Sequence, residues 1–515
     1  MNNLFLITFA ITVLLSSCVS EKANESQSSE NPNIIIIYAD DLGYGDVSAY
    51  GDGLIKTPNI DKLVSGGIKF TKGYASSSTC TPSRYALLTG TYPWRNKKAH
   101  ILPGSAPMII DTAQLTIPRM LKGEGYFTGV VGKWHLGLGS GNTDWNKHIS
   151  PSPNEVGFDY SYIMAATQDR VPTVYIKNGN VVRLDADDPI EISYRKKFPN
   201  EITGREHPEL LKIMYSNGHD GTIVNGISRI GHMRGGVKAH WIDENMSDTF
   251  LVKAQQYIKA HKDEPFFLYY GLQQPHVPRT PHQRFVGKSE MGPRGDAIVE
   301  EDWNVGQIMK TLKEEGLLEN TLVILSSDNG PVLDDGYKDD AVEKNGNHKP
   351  WGPFRGGKYS LFEAGTRLPF ITYWKGHITP RESSAMVSQI DILNSLAALT
   401  GSKLKSDDGE NLMDLFLGKS NTGRNAVVIE ATGRTAYRKG DWVMIPPYKG
   451  AAVIGSVNIE TGNSKEYQLY NIKDDQGQKI NLAKNNKEKL NEMTTEFEKV
   501  RGVTYNKGVE KLELK

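Results

Sequence analysis

The chain has 515 residues, 38% hydrophobic and 23% charged, with 60 basic and 60 acidic side chains. Single cores stop growing at roughly 250–300 residues, so one large domain with a smaller one attached is expected. Balanced charge without a basic run excludes nucleic acid as a partner and a membrane-surface patch, so any attraction for an anion must be local.

An apolar run covers positions 4–15. It is too short for a bilayer span, which takes roughly 20 residues, but it suits the apolar region of an export signal spanning 1–18. Its end, Leu15-Ser16-Ser17-Cys18, resembles a bacterial lipobox, which predicts a lipid anchor at Cys18 and a periplasmic or outer-membrane lipoprotein. Met1-Asn2-Asn3 lacks the usual basic residue, and an ordinary cleaved signal with an incidental Cys18 is the alternative. Residues 19–30 are rich in Ser, Glu and Asn and predict a solvated tether. With 2 cysteines in the chain, a lipidated Cys18 leaves Cys80 unpaired in a compartment where disulfides are stable.

Continuous apolar runs at 34–38, 127–131, 265–270 and 322–325 predict buried parallel strands. Asp40-Asp41, Lys133-Trp134-His135, Pro275-His276 and Asp328-Asn329-Gly330 follow them in turn. Ligands of open α/β sheets bind beyond the carboxyl ends of the strands, so these groups are expected to meet at one edge. Helical patterns at 60–64, 115–122, 250–262 and 387–399 complete a βα alternation. The expected fold is α/β, a large doubly wound, mostly parallel sheet flanked by helices over 31–402. Strand-like pieces at 426–429, 442–445 and 468–472, with a helix near 487–500, predict a smaller C-terminal α+β domain over 403–515 with a short antiparallel sheet.

In Cys80-Thr81-Pro82-Ser83-Arg84-Tyr85-Ala86-Leu87-Leu88-Thr89-Gly90, Pro82 suits the first helical position and Gly90 a left-handed stop. Cys80 is then expected at a helix N-terminus, where free N–H groups and the helix dipole favour an anion. Taken alone, such a cysteine reads equally as a small buried hydrophobe.

The Cys80-x-Pro82-Ser83-Arg84 pattern followed by Leu88-Thr89-Gly90 resembles the signature of type I, formylglycine-dependent sulfatases of the alkaline-phosphatase-like superfamily. Further stretches similar to that family follow the same order: Asp40-Asp41-Leu42-Gly43, Gly132-Lys133-Trp134-His135, Pro275-His276-Val277-Pro278, Ser327-Asp328-Asn329-Gly330 and Gly356-Gly357-Lys358. In Glu363-Ala364-Gly365-Thr366-Arg367-Leu368-Pro369, Ala364 stands where the family has glycine.

The resemblance implies that a formylglycine-generating or anaerobic sulfatase-maturating enzyme oxidises Cys80 to formylglycine. It implies one divalent cation held by Asp40, Asp41, Asp328, Asn329 and residue 80, a hard oxygen set that suits Ca²⁺ or Mg²⁺ and not zinc. Without the resemblance, Asp-Asp and Asp-Asn-Gly read as turns or caps. It places Lys133, Lys358 and His276 around the sulfate and has Arg84 orient the nucleophile. One hydroxyl of the hydrated aldehyde attacks sulfur while His276 protonates the leaving alcohol; His135 then takes a proton from the other hydroxyl, sulfate leaves and the aldehyde returns.

Segments 168–172 and 217–220 resemble bacterial sulfatases acting on 6-O-sulfated galactose or N-acetylgalactosamine, so a sulfated carbohydrate is the expected substrate. Asp169, Arg170, His219, Asp220, Trp351 and Arg355 are the candidate sugar contacts. Equally, Asp169-Arg170 reads as an internal ion pair and His219-Asp220 as a loop-ordering pair. The rival functions are a phosphomonoester or phosphonate hydrolase on the same fold and an inactive lipoprotein that binds sulfated glycans.

Overall fold

The computed structural model describes residues 31–502. Cys18, the expected export segment and the whole of the expected tether lie outside the described residues. No described helix is long and apolar enough to cross a membrane.

The first strand, β1 (Asn33–Ala39), is buried along its whole length. Ile34, Ile36 and Tyr38 enter one apolar cluster and Ile35, Ile37 and Ala39 the other. Burial on both faces is why this strand is continuously apolar. In chain order there follow β2 (Ile68–Tyr74), β3 (Phe127–Lys133), β4 (Tyr160–Met164), β5 (Tyr175–Lys177), β6 (Asn180–Val181), β7 (Phe266–Gly271), β8 (Thr321–Ser327), β9 (Arg367–Tyr373) and β10 (Arg381–Ser388). They form one 10-stranded sheet in the order β10-β2-β9-β8-β1-β7-β3-β4-β5-β6. The β8-β1-β7-β3-β4 stretch is parallel throughout, whereas β9 runs antiparallel to both of its neighbours.

Helices cover both faces. Residues of α2 (Cys80–Thr89), α3 (Ile117–Gly123) and α6 (Ile392–Thr400) join the first cluster. Residues of α1 (Pro58–Gly66), α4 (Met246–Ala260) and α5 (Gly292–Glu314) join the second. The fold is therefore the expected doubly wound α/β sheet. A second, 4-stranded antiparallel sheet joins β11 (Ala426–Ala431), β12 (Arg434–Lys439), β13 (Trp442–Ile445) and β14 (Gln468–Asn471). Helix α7 (Lys487–Arg501) buries Met493 and Phe497 in the same cluster, which also takes in Tyr74, Leu361 and Phe362 from earlier in the chain. Packing therefore continues across position 402.

Two local expectations need correction. The helix expected at 387–399 begins later, because Val387 and Ser388 end β10 and the helix starts at Ile392. The 23-residue α5 was not expected at all. It buries Arg294, Asp296, Glu300, Glu301 and Asp302, so its inward face carries little of the apolar periodicity by which helices are recognised.

Candidate active site

The strand register brings the expected groups to one edge. Ala39 pairs with Ser327 and Gly271 with Gly132, so Asp40, Asp328, Lys133 and the loop to His276 all leave the sheet at the same level. Gly132 has φ 108°, and a Cβ there would lie 1.8 Å from the Gly271 carbonyl oxygen, so only glycine lets β3 and β7 stay paired to the end, just before Lys133. Asp41, His135 and Tyr359 have φ of 63°, 58° and 72°. Left-handed backbone costs a non-glycine residue roughly 1–2 kcal/mol, and such strain is concentrated at working sites.

Cys80 is the first residue of α2, after Thr79 in extended conformation, and Gly90 ends the helix with φ 61°. The Thr81 hydroxyl donates to the His135 carbonyl at 2.9 Å, tying the start of the helix to the end of β3. One ligand atom from each of Asp40, Asp41, Cys80 and His276 lies within 4.8 Å of the others, and all four residues are buried. Burial pushes the Cys80 thiol up to about 12, against the pull of Lys133 and Lys358. Unmodified, it is a thiol and a poor nucleophile near neutrality.

Cations interleave these acids. Lys133 Nζ lies 2.6 Å from Asp40 Oδ2 and 3.9 Å from Asp328 Oδ2. Arg84 donates to Asp328 through Nε at 3.0 Å, with Nη2 at 2.8 Å from the same oxygen. Lys358 Nζ bridges Asp41 at 2.9 Å and Asp335 at 3.0 Å. Burial works against its charge, but Asp335 and Asp41 hold its ammonium well above the usual lysine range. Asn329 Nδ2 donates to Asp41 Oδ1 at 2.6 Å, and the Asp41 N–H donates to Asp328 Oδ1 at 3.2 Å.

Positive charge is nevertheless short. Burial pushes Asp40 well above the carboxylate range despite Lys133, and Asp40 Oδ1 and Asn329 Oδ1 have no hydrogen-bond partner. Buried acceptors are rarely left unpaired. Hard oxygen atoms left over at a carboxylate cluster fit a divalent cation.

The two histidines are fixed in opposite senses. His135 Nε2 faces the Leu102 carbonyl at 2.9 Å and so carries the proton, leaving Nδ1, which has no partner, as the basic atom. Burial, then Lys133, holds its pKa well below the ordinary value, so the ring is neutral. His276 instead donates Nδ1–H to the Val277 carbonyl at 2.7 Å, leaving Nε2 3.9 Å from Asp41.

The sugar candidates separate. Asp169 accepts from Arg170 at 2.9 Å and lies 3.0 Å from His219 Nε2. Burial would raise its carboxyl, but Arg170, then His219 and His276, hold it well below the usual range. The Arg170 guanidinium acts on both Cys80 and His135, so this trio borders the group around Cys80. Asp220 turns to Arg205 at 2.6 Å, as a loop-ordering contact. Trp351 and Arg355 line another cavity of about 560 Å³ with Val332 and Asp334, and Arg355 is paired with Glu460 at 2.7 Å. Asp335 and Tyr359 had no sequence signal, since Asp334-Asp335-Gly336 reads as a turn. Asp335 reaches the site because the loop after β8 folds back on Lys358 and Tyr359.

Residues 32–402 match the sulfatase family. Over 494 residues the chain is 49% identical to an N-acetylgalactosamine-6-O-sulfatase of Bacteroides thetaiotaomicron, a match covering 95% of this chain and 97% of that protein. It is 32% identical to human arylsulfatase A over 422 residues, covering 80% of this chain and 74% of the relative. A solved Bacteroides thetaiotaomicron structure, described under the metabolism of multiple glycosaminoglycans, matches with a TM-score of 0.90 at 49% identity, covering 92% of this chain and 100% of that one. Family match, long-range identity and the charge-lined cysteine agree: the chain belongs to the sulfatase family and is a hydrolase of sulfuric esters.

Proposed function

We propose that this sulfatase removes the 6-O-sulfate from N-acetylgalactosamine or galactose residues of a sulfated glycan, with residue 80 matured to formylglycine and one Ca²⁺ or Mg²⁺ bound. The observation that carries the chemistry is the Cys80 sulfur at the start of α2, grouped within 4.8 Å with ligand atoms of Asp40, Asp41 and His276. The sugar assignment is supported by the 49% identity to the Bacteroides enzyme named for that substrate.

Asp40, Asp41, Asp328, Asn329 and residue 80 would hold the cation, which when bound supplies Lewis-acid withdrawal of charge from the ester oxygens. Formylglycine, once formed and hydrated, supplies two oxygens on one carbon, so sulfate can be released without a second attack on sulfur. Lys133 and Lys358 offer ammonium groups to the anionic ester from a water-poor site, where such charges act strongly. Arg84 is tied to Asp328 and to the Tyr269 hydroxyl at 3.0 Å, so it orients a ligand carboxylate. His135 accepts a proton at Nδ1. Burial, then Lys358 and Lys133, hold the His276 pKa well below the ordinary value, so Nε2 gives a proton to the departing alcohol only after an anionic ester has offset those cations and the ring has gained a second proton there. Asp169 and His219, which pair with each other at 3.0 Å, would meet sugar hydroxyls. The apolar run at 4–15 and Cys18 support export to the periplasm, with a lipid anchor and a maturation enzyme as partners.

The test is hydrolysis by matured protein of N-acetylgalactosamine 6-sulfate, galactose 6-sulfate, N-acetylgalactosamine 4-sulfate and N-acetylgalactosamine 6-phosphate. A kcat/KM for the 6-sulfates at least ~100-fold above the other two is expected. Preference for the 4-sulfate defeats the positional assignment, and preference for the phosphate defeats the sulfatase chemistry.

A further inference from the structure

A cavity of about 540 Å³ opens between the β4–β6 edge of the large sheet and the start of α4, and its lining shares no residue with the group around Cys80. Tyr162, Tyr175 and Trp241 wall it, with ring centroids 5.4 Å apart for the tyrosines and 5.9 Å apart for Tyr175 and Trp241. Trp241 is only 2% exposed, yet its indole N–H has no hydrogen-bond partner, and neither has His240 Nε2. Buried polar atoms of this kind are ordinarily paired, so the cavity suits an occupant that forms hydrogen bonds.

Its charge narrows the occupant. Arg183 and Lys238 line it and no carboxylate does. Lys238 is paired with Asp185, whereas exposed Arg183 has no ion pair among the described residues. The cavity at Trp351 is the reverse: Asp334, Glu343 and Glu460 line it, and its Arg355 is already paired. An anion is therefore repelled there and attracted at Arg183. Aromatic faces stack on the C–H face of a sugar ring, an indole N–H meets a hydroxyl, and a free guanidinium meets a sulfate or carboxylate.

We propose that this cavity is a second binding site, for one anionic sugar residue of a glycan chain, separate from the site of hydrolysis. The proposal rests on the glycan reading above but not on which sulfate is removed. Tethering the polymer there raises the effective concentration of its sulfate esters at residue 80 when the chain spans both sites.

The test uses the full chain in a Cys80→Ala background, so that the polymer is not consumed, with chondroitin 6-sulfate as the probe. Arg183→Ala, and Trp241→Phe, which keeps the aromatic ring and removes the N–H, are each expected to weaken polymer binding roughly tenfold. In matured enzyme with Cys80 intact, the same substitutions are expected to leave kcat/KM on N-acetylgalactosamine 6-sulfate unchanged. Absence of polymer binding by the parent, or unchanged affinity in both variants, overturns the proposal. An equal loss of monosaccharide turnover also overturns it, because the residues would then belong to the catalytic pocket. If the parent enzyme does not hydrolyse the monosaccharide, the substrate reading fails, and the difference in polymer binding still decides the cavity.

Discussion

Glu363 and Asp40 are both carboxylates without solvent exposure, yet one is saturated and the other is not. Arg438 holds Glu363 Oε1 at 2.7 Å, while Tyr74 at 2.7 Å and Arg367 at 3.2 Å hold Oε2. Burial would raise Glu363, but Arg438 and Arg367 keep it below the ordinary range. Asp40 goes the other way, raised by burial despite Lys133, and its Oδ1 is left without a donor. What remains unpaired beside Glu363 is N–H groups of Arg438; what remains beside Asp40 is acceptor oxygen. Buried charge by itself marks neither structure nor function. The sign of the unpaired remainder does, because leftover acceptors call for a cation from outside the chain.

The largest expected effect lies at the centre of the unsaturated group. Cys80→Ala is expected to lower kcat by ~10⁴-fold or more and to leave the unfolding temperature near wild type, since the nucleophile is lost and little packing is. A Cys80→Ala protein with wild-type turnover would remove residue 80 from the chemistry. Arg438→Met should do the opposite. It strands Glu363 in the core and is expected to cost about 3–5 kcal/mol in urea unfolding, while the folded fraction keeps its kcat. Lys133→Met is expected to cost ~10²–10³ in kcat, as loss of one charge-stabilising group does. If Lys133→Met lost stability but not turnover, the two clusters would be of one kind and the contrast would collapse.

Cation binding sharpens the contrast at lower cost. At about 100 times its Kd, Ca²⁺ or Mg²⁺ is expected to raise stability by about 2.7 kcal/mol, read as a shift of the unfolding midpoint. Asp40→Asn should abolish that shift and Glu363→Gln should preserve it. A midpoint indifferent to both ions in wild-type protein would mean that the oxygen atoms beside Cys80 do not form a divalent-cation site.

How far each cluster was legible in the sequence follows from where its partners come from. Asp40, Lys133, His276 and Asp328 were readable because each follows a continuous apolar run, and parallel register carries such positions to one edge. Cys80 was readable because Pro82 and Gly90 mark a short helix, although that helix starts at Cys80 itself, two residues before Pro82. Asp335 was not, because its contact with Lys358 depends on how a Gly-containing loop folds back, which no periodicity encodes. The strands β2 and β9 were likewise missed: each mixes charged or polar residues with apolar ones, and their partners are far apart in the chain. Arg355 precedes the matching Gly356-Gly357-Lys358 stretch, yet it and Trp351 line a cavity that none of Asp40, Asp41, Cys80 and His276 lines.

A third kind of buried carboxylate tests the rule at its smallest scale. Glu300 on α5 is 1% exposed. Burial pushes it up to about 7, with the His282 N–H and the Ser247 hydroxyl opposing and Asp248 adding to the push. Its folded pKa lies above the unfolded value of about 4.3. Between those two values the folded chain binds more protons than the unfolded one, so this group's contribution to stability falls as pH rises and is fully lost above about 7. Glu300→Gln removes the charge and is expected to stabilise the protein by about 1–3 kcal/mol at pH 8, with the gain shrinking toward pH 4. Urea unfolding at both pH values reads the difference. A Gln variant less stable than wild type at pH 8 would show that ionised Glu300 has a compensating partner after all. It would then belong with Glu363, as a satisfied structural charge.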